Sequence, residues 1–176
     1  MSAKKEDLLQ AAEKLFYVHG FHSIGLKRVI EEAGVAIMTL YNHFGSKEEL
    51  IAEMLKRRES RYFARLRSRL QDHQGGLASA CLQMAEAHIE WLTEHEARGC
   101  LFLRAKEEFG GDAGHPIVHL VDQHKRGLLQ FFGQQGLTEA QALRLALCFE
   151  GATAMAETEE ADKVGNELRY LIRHIV

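Results

Sequence analysis

The sequence predicts an all-α protein, a three-helix head containing a helix-turn-helix, followed by a helical-bundle domain. A single proline in 176 residues, with abundant leucine, alanine, glutamate and arginine, favours long helices over a sandwich or a barrel. Apolar residues recur at spacings of three and four along most of the chain, as helices with one buried stripe require. Two capping-box patterns then mark helix starts, Ser46 with Glu49 and Thr138 with Gln141.

The first helix covers 3–19, where Leu8, Ala11, Ala12, Leu15 and Phe16 share one stripe, and Gly20 ends it. A short second helix covers 26–33 with Leu26, Val29, Ile30 and Ala33 facing inward, and Gly34 supplies the permissive backbone of a tight turn. The third runs over about 36–43. The fourth starts at SKEEL and continues to about Leu70; its later part, KRRESRYFARLRSRL, reads as basic on its solvent faces and ends near DHQGG. This helix joins a small front unit to the body, with the boundary at 45–50 and no flexible linker.

Five more helices follow, at about 77–95, 98–109, 116–133, 138–156 and 160–175. Pro116 suits a first helical turn, where its missing amide costs little, and GGDAG before it reads as a loop. The last two helices are strongly patterned, with Leu143, Ala146, Leu147 and Met155 and then Val164, Leu168, Leu171, Ile172 and Ile175.

Net charge is −3, but residues 1–70 hold thirteen Lys or Arg against nine Asp or Glu, leaving +4 in front and −7 behind. A phosphate backbone responds to local field rather than to total charge, so this asymmetry admits a nucleic-acid partner for the front. Cys81, Cys100 and Cys148 are odd in number and widely spaced, which suits reduced thiols in the cytoplasm. The start, MSAKKEDLLQAAEKLF, lacks the apolar core of a signal peptide, and no later run approaches a membrane span. The reading is a cytoplasmic protein with no membrane partner.

LKRVIEEAGVAIMTLYNHF has the form of a helix-turn-helix: a short helix, a small Ala-Gly turn, Val35 at the corner and a second short helix. Leu40 and Phe44 anchor that second helix, and Ile37, Met38, Thr39, Tyr41, Asn42 and His43 supply its other faces. A DNA-reading helix needs this division, one side locked and the other free to meet bases and phosphates.

These residues resemble the tetracycline-repressor-like (TetR) transcriptional regulators. The likeness rests on Ala11-Ala12-x-x-Leu15-Phe16, Gly20-Phe21, Ala33-Gly34-Val35, Thr39-Leu40-Tyr41-x-His43-Phe44, and Lys47 with Leu50. The resemblance implies that Tyr41 and Lys47 anchor the DNA backbone, that Thr39, Asn42 and His43 lie nearer the bases, and that Lys27 and Arg28 contact phosphate. It implies a DNA-binding head at 1–48 and an effector-binding and dimerisation domain at 49–176. Ala36, Ile37 and Met38 depart from the family's small hydroxyl, basic and glycine residues there, and Ile24 and Gly25 replace hydroxyl residues before the second helix. Ile37 and Met38 either read thymine methyl groups or signal an unusual or weak operator preference.

Two heads held about one DNA turn apart read a palindromic operator, so a homodimer is expected. The last two helices are the candidate interface, as half of an intersubunit four-helix bundle in the resembling family, against burial of both stripes within one chain. Met84, His88, Trp91, Cys100, Phe102, Phe131 and Phe149 are the candidate lining of a pocket for a small hydrophobic effector. The chain is thus read as a homodimeric repressor released by such an effector; the alternative is a dimeric protein-interaction module without sequence-specific DNA binding.

No catalytic residues, metal or cofactor are assigned. His88 with His95, His115 with His119, and His119 with His124 have helical spacings, but neither HExxH nor a paired-cysteine motif accompanies them. No glycine-rich phosphate cradle or nucleophile elbow occurs, and Glu107 with Glu108 reads as a solvated helix face.

Overall fold

The computed structural model describes residues 3–71, 75–94 and 98–174. Among these, the regular structure consists of α1 (Ala3–His19), α2 (Leu26–Ala33), α3 (Ile37–His43), α4 (Lys47–Gln71), α5 (Leu77–Glu94), α6 (Leu101–Phe109), α7 (Pro116–Gln134), α8 (Glu139–Met155) and α9 (Ala161–Ile172). The all-α expectation holds, with every predicted helix present. Boundaries differ by up to three residues: α6 starts at Leu101 rather than 98, after Gly99 at φ +78°, a backbone outside the right-handed helix, and α9 ends at Ile172 rather than 175. His95 and Ile175, named in the sequence patterns, lie outside the described residues.

The chain divides into two packed units: one of the residues up to Glu59 with Leu101–Asp122, the other of Ser60–Cys100 with the residues from Gln123 onward. In the first, α1 packs on α2 and α3, and Leu8, Leu9, Leu15, Phe16, Leu40 and Phe44 are buried. The buried face of α1 also takes in Glu13, whose carboxylate receives Arg58 at 2.6 Å and Arg57 at 2.8 Å, both from α4. Arg58 is itself buried and its guanidinium lies 4.9 Å from the Tyr17 ring. The reading of this stretch of α4 as basic on solvent faces is therefore corrected at Arg57 and Arg58, which a glutamate on another helix draws inward.

In the second unit, α5 packs on α9 and α8. The approach of α5 to α9 is close at Gly165, where an added Cβ would lie 3.1 Å from Ile89 Cγ2. Beside it, Arg169 binds both Glu86 oxygens at 2.6 and 2.8 Å. That hydrogen-bonded contact holds the Glu86 carboxyl below and the Arg169 guanidinium above their usual ranges. At the start of α8 the capping box is complete, with Thr138 accepting from Gln141 N–H and the Gln141 side chain accepting from Thr138 N–H. At α4 it is modified: Ser46 accepts from Glu49 N–H at 3.1 Å, but Glu49 accepts from Gly45 N–H at 2.7 Å, one residue before the expected donor.

Candidate nucleic-acid interface

The turn between α2 and α3 is built as its sequence requires. Gly34 takes φ +64°, its N–H returns to the Glu31 carbonyl, and Val35 N–H returns to Ile30 O at 3.3 Å. Neither helix start has a side-chain cap: Gly25 and Ala36 occupy the N-cap positions. Stability of this motif therefore comes from packing, with Val29, Leu40 and Phe44 all buried. Lys5 adds a tie by placing its ammonium 5.5 Å from the Phe44 ring centre and 3.4 Å from Glu53.

With Leu40 and Phe44 committed to the core, α3 leaves Ile37, Met38, Tyr41 and Asn42 open to solvent. Thr39 and His43 are half-buried at the edges of that face, and the His43 ring meets Phe44 edge-on at 6.3 Å. Lys27 and Arg28 are exposed in the first turn of α2. Lys47 is half-buried at the start of α4, its ammonium 5.9 Å from the Phe16 ring centre. All seven candidate DNA contacts thus belong to the first unit, on α2, α3 and the first residue of α4. Glu32 pairs with Lys14 of α1 at 2.6 Å and with Arg28 at 4.0 Å, and the Lys14 hydrogen bond, then the Lys14 charge, lowers its carboxyl pKa.

One positioning group escaped the sequence reading. The Glu108 carboxylate of α6 accepts from Phe21 N–H at 2.8 Å and His22 N–H at 2.6 Å, and lies 3.0 Å from His22 Nδ1. It fixes the connector between α1 and α2, so Glu108 is not simply part of a solvated face. Gly20 makes the clamp possible: it adopts φ +84°, and a Cβ there would sit 2.8 Å from Glu108 Oε1. Phe109 seals the contact with its ring 5.8 Å from Phe21 and 4.8 Å from His22. No short-range signal in the sequence links residues 87 positions apart.

The candidate effector residues divide between the units. Phe102 is buried on α6 in the first. Met84, Trp91, Phe131 and Phe149 share the aromatic-rich core of the second. His88 joins that core by stacking on Phe149 at 4.4 Å, with Nδ1 at 2.8 Å from the Tyr62 hydroxyl and Nε2 at 3.0 Å from the Phe149 carbonyl. Because a carbonyl only accepts, Nε2 carries the proton and Tyr62 donates to Nδ1. Burial lowers the His88 pKa to about 4 and pushes the Tyr62 phenol well above its ordinary value, which keeps both groups neutral. Cys100 is half-buried, 4.0 Å from Lys125 Nζ, and Lys125 pairs with Glu150.

A separate apolar groove of about 490 Å³ lies between α8 and α9, with Leu147, Cys148, Met155, Val164, Leu168 and Leu171 in its walls. Along α8, Leu143, Leu147 and Met155 are more than half exposed, whereas Ala142, Leu145, Phe149 and Ala152 take the buried side. No described helix is long and apolar enough to cross a membrane, and no described group of three His, Cys, Asp or Glu side chains is placed to hold a metal ion.

The fold and this open-faced second helix define a helix-turn-helix protein. Residues 8–54 match the family model described as bacterial regulatory proteins, tetR family. The chain is 28% identical over 131 residues to the transcriptional repressor NemR of Escherichia coli K12, a match covering 74% of this chain and 65% of NemR. It is 36% identical over 64 residues to the E. coli regulator UidR, covering 36% of this chain and 33% of UidR. These matches thus span less than two thirds of either relative's length. A TetR-family regulator from Streptomyces coelicolor superposes with a TM-score of 0.88 at 25% identity, covering 98% of this chain and 93% of that one. The chain is thus similar to TetR-family regulators in sequence over residues 8–54 and in fold along nearly its whole length.

Proposed function

We propose that the chain acts in the cytoplasm as a homodimeric transcriptional repressor that binds a palindromic operator and is released by a small hydrophobic effector. The observation that carries this reading is α3, locked inward by Leu40 and Phe44 while Tyr41 and Asn42 face solvent beside the cations of α2 and α4. NemR, which bears the name of a repressor, supports the direction of regulation. In this reading Tyr41, Lys47, Lys27 and Arg28 hold the DNA backbone and set the register, and Thr39, Asn42 and His43 meet base edges.

Binding to DNA fragments drawn from around the protein's own gene tests it. Selective binding that weakens with salt is expected, and Tyr41→Phe combined with Lys47→Ala should weaken it at least about tenfold and flatten the salt dependence by about one counterion for the lost cation. Absence of selective binding at both low and moderate salt would establish the interaction-module reading instead.

The exposed α8 stripe and the neighbouring groove support a second copy of the chain as the occupant of this face. Gly151 lines the groove between Leu147 and Met155, and its lack of a side chain favours close helix approach. The chain should sediment as a dimer at micromolar concentration, and Leu147→Glu should shift it to monomer, because an isologous contact brings the two new carboxylates into the same apolar patch. A monomeric wild type would refute this interface.

The functional division at 48/49 follows the same logic, with 1–48 reading DNA and 49–176 holding the effector and the dimer face. The effector site proposed among Met84, His88, Trp91, Phe131 and Phe149 lies in the packed core of the second unit, so a ligand there must displace aromatic contacts. It induces release only if it binds the DNA-incompetent state more tightly. Helix α4 carries both Lys47 and Tyr62, a direct covalent route for that coupling.

A further inference from the structure

We propose that Ile37 and Met38 read the C5-methyl groups of thymine, so that the operator carries T·A pairs where the first turn of α3 meets the major groove. This rests on the DNA-binding reading above and names the base chemistry it selects. Ile37 is 56% and Met38 64% exposed, and with Tyr41 at 54% they make the outer side of α3 largely apolar. In helix-turn-helix docking the first residues of the second helix meet base edges. The face that packing leaves open is therefore the face that must supply discrimination.

The chemistry narrows the occupant. Among the base edges in the major groove, only thymine offers an apolar group; guanine, cytosine and adenine offer donors and acceptors that Ile37 or Met38 would desolvate without a hydrogen-bonding partner. The two side chains thus gain from a methyl and penalise its absence. Ile37 is branched at Cβ and conformationally stiff, which fixes its contact to one position, whereas the flexible Met38 adapts to a neighbouring one.

Charge separates DNA from an apolar protein surface as the partner of this patch. Helix α3 has no acidic residue; Lys27 and Arg28 open α2 and Lys47 opens α4, while Glu31 and Glu32 lie at the far end of α2, Glu32 paired with Lys14 and Arg28, and Glu48 and Glu49 follow Lys47. A polyanion complements that frame.

The test begins with an operator selected from a random duplex pool by the full chain, followed by replacement of each thymine, one at a time, with deoxyuridine. This deletes the methyl and leaves base pairing intact. At one or two positions per half-site the wild type should lose about fourfold in affinity, the value of burying one methyl-sized group. The variant Ile37→Ala, Met38→Ala should bind thymine and deoxyuridine operators equally. Both residues are exposed, so the fold should survive, and the two single variants resolve the same comparison if the double variant binds too weakly to measure. Selective binding with no deoxyuridine penalty at any thymine would overturn the methyl readout while leaving the regulator standing. A penalty that persists undiminished in the variants would overturn the assignment to these side chains. Failure to enrich any sequence from the pool would overturn the DNA-binding reading and this inference with it.

Discussion

Glu13→Ala should lower stability by about 3 kcal/mol, because it removes the buried carboxylate that Arg57 and Arg58 share and leaves Arg57 only its second partner, the more exposed Glu6. Glu13 faces Arg57 and Arg58 at 2.8 and 2.6 Å, and the three side chains are 10%, 16% and 6% exposed respectively. Removing one partner of such a group costs more than the group contributes in total, since Arg58 stays desolvated without its buried carboxylate and Arg57 keeps only the more exposed Glu6. For a chain of this size the corresponding fall in melting temperature is roughly 6 to 12 °C. Glu13→Gln keeps the shape and one acceptor and should fall between wild type and Ala. Thermal denaturation of the three proteins checks the order, and a Glu13→Ala melting temperature within about 2 °C of wild type would show that these charges remain solvated.

The second large effect is a loss of stability on mild acidification that depends on one residue. His88 has its pKa lowered to about 4 from an ordinary 6.5, first by burial, against the opposing hydrogen bond to the Phe149 carbonyl. Above pH 6.5 the imidazole is neutral in both folded and unfolded chains and its full contribution is present. Between pH 6.5 and 4 the unfolded chain takes up a proton that the folded one refuses, so stability falls with pH. Across that window the loss amounts to roughly 3 kcal/mol. Wild type and His88→Gln, unfolded in denaturant at pH 7 and pH 4.5, separate this proton from those of the other histidines. The difference between the two proteins should narrow as the pH drops, because only wild type carries the buried imidazole. A constant difference would place His88 in contact with water.

The sites differ in how far their residues announced them. The helix-turn-helix was readable because each of its parts is local: Gly34 at the one position with positive φ in the motif, Val29 and Leu40 on inward faces, and Phe44 four residues beyond Leu40. The replacement of hydroxyl residues at Ile24, Gly25 and Ala36 was equally visible. Exposure was not. The spacing of Leu143, Leu147 and Met155 placed them on one face of α8, yet only packing showed that the opposite face, with Leu145 and Phe149, is the one buried within the chain.

Charged residues were the hardest to read. Glu13 and Glu108 look like solvent-side glutamates in amphipathic helices, and Arg57 and Arg58 like members of a basic run. One carboxylate instead gathers two arginines from 44 and 45 residues away, and the other clamps the backbone amides of Phe21 and His22. His88 likewise entered as an apolar-pocket candidate, and its role is set by a Tyr62 hydroxyl and a Phe149 carbonyl that no spacing rule connects.

By itself, then, the sequence determined an all-helical chain, the succession of helices and the position of the helix-turn-helix motif. Tertiary structure decided which stripe of α8 stays open, which charges go inside and what holds the connector before α2. The physical reason is range. Backbone propensity, glycine conformation and a period of 3.6 act within a turn or two, whereas desolvation and pairing of a charge depend on whichever distant residue the fold brings to it.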